Sequence, residues 1–145
     1  MITNSLQDIA LRMAEFDKHI NKELALYHTS EKAFDGSVEL KISVFSPDFC
    51  SLYISSTSDC FDVTFGGRIS VSDIDHREFD LFKVLKTVAK GDIIIGAESF
   101  MGISASVWVQ LIDDGRVYFN SRDIKIPFVS KMSNSSVKTY KSFYI

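Results

Sequence analysis

The chain lacks most of the features that announce a chemistry. Its two cysteines, Cys50 and Cys60, have no Cys-x-x-Cys spacing, so they supply neither a zinc frame nor a disulfide scaffold. Both alternate with apolar neighbours, as buried thiols do. Only two prolines and seven glycines occur in 145 residues, which excludes collagenous and low-complexity classes. No apolar run approaches the roughly 18 residues of a membrane span. The opening segment is interrupted by Asp8, Arg12 and Glu15, unlike a secretory leader. These absences lead to the expectation of a soluble, cytoplasmic protein with no membrane contact.

A basic excess is also missing. The net charge is −3, and it conceals a division: 10 Lys and Arg against 18 Asp and Glu up to Gly115, then 6 against 1 from Arg116 onward. Direct nucleic-acid binding is disfavoured, since such domains carry basic charge over the whole working face. An acidic body suits a partner of opposite sign, and two unrelated solvated faces would give the same count.

Catalytic signatures are equally scarce. His19, His28 and His76 sit on or beside expected helices, and no Gly-x-Ser-x-Gly elbow is present. The segment Ser135 to Lys138 matches Ser-x-x-Lys without its companion motifs, an accidental match in a Ser- and Lys-rich stretch. Neither "FGGRIS" nor "GAESFMG" has the spacing of a phosphate loop, and no EF-hand loop occurs. The expectation is a non-enzyme with no cofactor and no metal.

What is present is periodicity. Leu6, Ile9, Met13, Phe16, Ile20, Leu24 and Tyr27 fall on one helical stripe, with Ser5 and Asp8 as a capping signal, and predict one long amphipathic helix. After a polar link, "HTSEKAFDG", the period becomes two. Val38, Leu40, Ile42 and Val44 alternate with polar residues, and "CSLYISS" and "CFDVTF" follow as further strands. Parity favours a three-residue loop at 66–68, pairing Phe65 with Ile69 and Val63 with Val71. A second helix is expected within "DIDHREFDLFKVLKTVAKG", started by Asp75 and Glu78, burying Phe79, Phe82, Leu85 and Val88, and stopped by Gly91.

Three more strands follow, "DIIIGA", "ISASVWVQLI" and "RVYFNS". A loop at 113–115 would pair Leu111 with Val117 and Val109 with Phe119. "IKIPF" is a candidate edge strand because Pro127 cannot donate a ladder bond. The basic segment 129–145 reads as a mobile tail with Phe143, Tyr144 and Ile145 docked, or as an arm of an interaction surface.

The order gives α+β: a single domain over 1–145, with a long N-terminal amphipathic helix and a second helix packed on a largely antiparallel β-sheet of about six to eight strands. The segment 96–104, "GAESFMGIS", becomes a strand connection with Glu98, Phe100 and Met101 at its tip, a candidate contact loop. Asp59, Asp62, Asp73, Asp75, Glu78 and Asp80 form a candidate partner-binding surface, although Asp75 and Glu78 are equally explained by helix capping.

In size, charge and element order, most visibly in "EFDLFKVLKTVAKGDIIIGA" followed by "SVWVQLIDDGRVYF", the chain resembles the immunity proteins that bacteria pair with polymorphic or contact-dependent growth-inhibition toxins. That resemblance implies stoichiometric inhibition of a cognate basic toxin, often a nuclease. Separately, a monomer or weak homodimer is expected. Two other classes stay open. One is a small-ligand or enzymatic domain with a pocket between sheet and helix lined by Trp108 and Tyr118. The other is a structural module pairing through an edge strand.

Overall fold

Strict alternation of apolar and polar residues builds the first sheet. The computed structural model describes residues 6–32, 36–125 and 134–145. Five antiparallel strands run in sequence order: β1 (Ala25–Lys32), β2 (Ser37–Val44), β3 (Leu52–Ser56), β4 (Cys60–Phe65) and β5 (Ile69–Asp75). Val38, Leu40, Ile42, Leu52, Ile54, Phe61, Val63 and Phe65 all point to one buried side, the period-two signature of a sheet with one face on a core. The 66–68 loop pairs Phe65 with Ile69 and Val63 with Val71, as parity requires.

The first helix is shorter than its stripe. α1 covers Leu6–Phe16, a tighter 3-10 turn covers Asp17–His19, and Ile20 is already extended. Asn21 then turns the chain: its side chain accepts from the Glu23 N–H at 3.0 Å, and its carbonyl accepts from Leu24 and Ala25. Such local bonding competes with helix. Leu24 and Tyr27 still pack against the core, but from a turn and from β1. A helical spacing therefore continued through residues that are not helical, and the polar link after Tyr27 hides the rest of an edge strand. The Ser5 capping signal lies outside the described residues.

The second helix, α2 (Leu81–Ala89), begins later than expected. Asp80 is its N-cap, accepting from the Phe82 N–H at 3.0 Å, while Asp75 closes β5. Its buried side is Leu81, Val84, Leu85, Thr87, Val88 and Ala89, with Phe79 and Phe82 only partly covered. The Arg12 guanidinium of α1 lies 3.8 Å from the Phe82 ring centre, a cation–π contact joining the helices.

The second sheet contains β6 (Ile93–Phe100), β7 (Ile103–Asp113), β8 (Arg116–Ile124) and β9 (Asn134–Thr139), antiparallel in the order β8-β7-β6-β9. Two tight turns join β6 to β7 and β7 to β8. Met101 and Gly102 have φ of 52° and 78°, Asp114 and Gly115 have 51° and 75°, the doubly left-handed geometry that matches strand twist. The second turn is thus two residues long. A bulge after it pairs Leu111 with Phe119 and Ile112 with Val117, so that Phe119 stands two residues and Val117 one residue from the expected partner.

The inner faces of both sheets and the helices share one apolar cluster, in which Phe65 and Phe79 both meet the Phe119 ring. The basic C-terminal segment supplies β9 and a strap beyond it. The Lys141 N–H donates to the Asp48 carbonyl, the Phe143 N–H to Ala89, and the Phe143 carbonyl accepts from Asn21, with the Phe143 side chain 1% exposed. Gly91, at φ 79°, lets this strap pass, since a Cβ there would lie 2.8 Å from the Lys141 backbone. Of the candidate edge strand, Ile124 ends β8, and 126–128 lie outside the described residues.

Candidate functional site

The β3–β4 turn, the bulged end of β4–β5 and the turn before α2 bring five of the six acidic candidates toward one end of the first sheet. Asp62 stands on the outward side of β4, where the register slips between Phe61 and Val63 and leaves the Asp73 N–H outside the ladder. The Asp62 carboxylate accepts from that N–H at 2.8 Å, and Asp73 holds φ 58°. Asp75 is bonded at 2.8 Å to the guanidinium of Arg77 and at 2.8 Å to its backbone N–H. These bonds pull the Asp75 carboxyl down to about 2. The Arg77 guanidinium is held above its ordinary value, first by Asp75 and further by Asp59 and Glu78.

Asp80 is different. Its carboxylate caps α2, and with Asp113 and Asp92 it contributes to the field at Tyr118. The Tyr118 hydroxyl is bonded to Thr87 at 2.7 Å on α2, and the Lys83 ammonium lies over the Tyr118 ring, 4.3 Å from its centre. Asp80 and Asp75 are thus accounted for by capping and by a local ion pair. Asp59, Asp73 and Glu78 remain exposed carboxylates with no such task.

The other three candidates lie on the second sheet. Glu98 faces outward from β6 and is paired to Arg122 of β8 at 3.4 Å. Phe100 is half-buried, and Met101 at the turn is 84% exposed, beside Ile103 at 60%. The sequence places all three at the tip of a strand connection; only Met101 is in the turn, while Glu98 and Phe100 belong to β6 itself.

Sequence reasoning missed the face behind that tip. Trp108, the one tryptophan of the chain, stands between Gly96 of β6 and Arg122 of β8. A Cβ on Gly96 would lie 1.9 Å from both Cε2 and Cζ2 of the indole and 2.5 Å from Nε1. An edge-on ring would bring Nε1 as close as the carbons, so the indole lies flat across the glycine. Its second face is turned outward into a shallow depression of about 430 Å³ lined by Glu98, Gln110, Asn120, Arg122 and Ser135, with Val137 at its side. Trp108 and Tyr118 therefore part company: one looks outward, the other packs on α2. The glycine opposite a tryptophan was the signal, but it requires the strand register to be read.

One histidine meets a serine. Ser56 Oγ and His76 Nε2 are 3.0 Å apart, but Ser56 is fully buried, and both atoms also contact the Thr57 carbonyl. The pair fastens the β3–β4 turn to β5, and no nucleophile is presented. Cys50 and Cys60 are free thiols; burial pushes Cys50 up to about 12, which keeps it protonated. Among the described residues, no group of three or more metal-ligating side chains converges, and no helix is long and apolar enough to cross a membrane. No family model matches the chain, and no match is found among the curated proteins or the solved structures.

Proposed function

We propose that the chain is a non-catalytic binding protein that neutralises a basic partner, a bacterial toxin of the polymorphic or contact-dependent class, through the acidic end of its first sheet. One observation carries the reading: Asp59, Asp73 and Glu78 are exposed next to an Asp75–Arg77 pair whose charges cancel, so the end retains a negative field. Asp62 adds to it. Such a field raises the association rate with a Lys- and Arg-rich cleft and rejects acidic partners.

The fold itself sorts which carboxylates are suited to the test. Asp62 supports a bulge, Asp75 an ion pair and Asp80 a helix cap, so their replacement confounds folding with binding. Asp59, Asp73 and Glu78, whose carboxylates make none of these bonds, are the set to reverse, with a urea melt as the folding control because Asp73 holds φ 58°. Co-expression with its cognate toxin should protect cells, and the triple Lys variant should lose protection and show slower association, most at low salt. Undiminished protection by a folded triple variant overturns the proposal.

A further inference from the structure

We propose that the outward face of the second sheet, centred on Trp108, binds a neutral oligosaccharide of flat, equatorially substituted pyranose units. The inference does not depend on the toxin reading, which uses the other sheet.

The platform comes first. Because Gly96 has no side chain, the indole lies on the backbone of β6, and its far face stays open as a flat apolar surface. An aromatic ring in this position stacks against the C–H face of a pyranose, which is apolar on that side, while the ring hydroxyls project around the edge. The rim suits those hydroxyls. Gln110 and Asn120 are cross-strand partners, and Glu98 and Arg122 flank the indole on the neighbouring strands. All four end in planar groups with two polar atoms, able to engage adjacent hydroxyls in pairs.

Charge selects the ligand class. Among the described residues, the charged groups lining the depression are Glu98 and Arg122, and they pair with each other at 3.4 Å. No net charge is left for a phosphate, a sulfate or a cation, so a nucleotide lacks its anchor. The volume of about 430 Å³ lies within the range of small-molecule clefts.

Since Trp108 is the single tryptophan, its emission reports on this site alone. The full chain is titrated with cellotetraose, chitotetraose and, as a contrast, oligo(U). The expected result is a saturable change in emission with one of the two sugars and none with oligo(U). Asn120→Ala and Gln110→Ala should keep the unliganded emission and weaken that sugar about tenfold or more. No saturable change up to about 10 mM of either sugar overturns the proposal. So does a response to oligo(U) alone, sugar binding unaffected by both alanine variants, or an emission that shifts with protein concentration, which marks the face as a contact between copies.

Discussion

The carboxylate of Asp62 accepts a hydrogen bond from the backbone N–H of Asp73, across a bulge that leaves this N–H without a ladder partner. One aspartate thus completes the backbone of another, and both belong to the acidic surface. Asp62→Ala should destabilise the chain by about 1 kcal/mol in urea unfolding. Asp73→Gly, which relieves the left-handed φ of 58°, should stabilise it by about the same amount. Stabilities unchanged in both variants would show that the bulge does not depend on this pair.

Gly96 has the opposite constraint, one of space. Gly96→Ala places a methyl group within the indole of Trp108 and must tilt or displace it. The expected outcome is a loss of about 2 kcal/mol and a red shift of tryptophan emission as the ring moves into water. A variant with wild-type emission would contradict the stacked arrangement.

Phe143 holds the strap that follows β9. Phe143→Ala should lower stability by about 3–5 kcal/mol, because a fully buried aromatic is removed from the junction of α2 and the first sheet. Hydrogen exchange should quicken at the amides of Phe143 and Asn21, whose bonds tie the strap down. Exchange confined to β9 would place the anchor elsewhere.

At alkaline pH one buried thiol and three part-buried tyrosines act together. Burial pushes Cys50, Tyr118 and Tyr140 up to about 12 in the folded chain, above the ordinary values of 9.0 and 10.0, and raises Tyr27 further. Folded pKa values above the unfolded ones give stability that is complete below about 9 and is lost as pH rises toward 12. Unfolding midpoints in urea should fall across that window. Cys50→Ala should flatten its lower part, and a disulfide reagent should label Cys60 before Cys50 in the native protein.

At the acid end the sign reverses. Asp75 is held at about 2 against an ordinary 3.8, so the stability it brings is present above the ordinary value and lost as pH falls toward 2. This carboxylate is part-exposed and Arg77 is largely so, and solvent screens the pair, so the carboxyl titration itself is the sensitive measurement. Carbon-detected NMR should find it returned toward 3.8 in Arg77→Ala.

Period-two patterning was enough to recognise β2, β3 and β4 and the loop after Phe65, because each of these strands has one face in the core. β1 was not legible. It is an edge strand whose residues after Tyr27 are mostly polar, and its first residues happened to continue a helical spacing. The register of β7 with β8 escaped parity because the turn has two residues and the chain bulges beyond it, a compensation that leaves little trace in composition. The acidic end was legible as a list of residues, though not as roles, since capping, bulge support and ion pairing depend on which backbone group each carboxylate meets. The Trp108 face required β9, a strand of mostly small polar residues that pairs with β6 only through long-range contact.

The strap also has a kinetic meaning. His19 contacts Ile145 across 126 positions of chain, and Asn21 meets Phe143 beside it. Closing loops of that length is slow compared with forming the local hairpins of β2 to β5 or of β6 to β8. The two sheets should therefore each form their hairpins early and wait for the last segment to join them. Until it does, β6 presents an open row of backbone donors and acceptors, the most vulnerable moment of the folding chain for pairing with a neighbour.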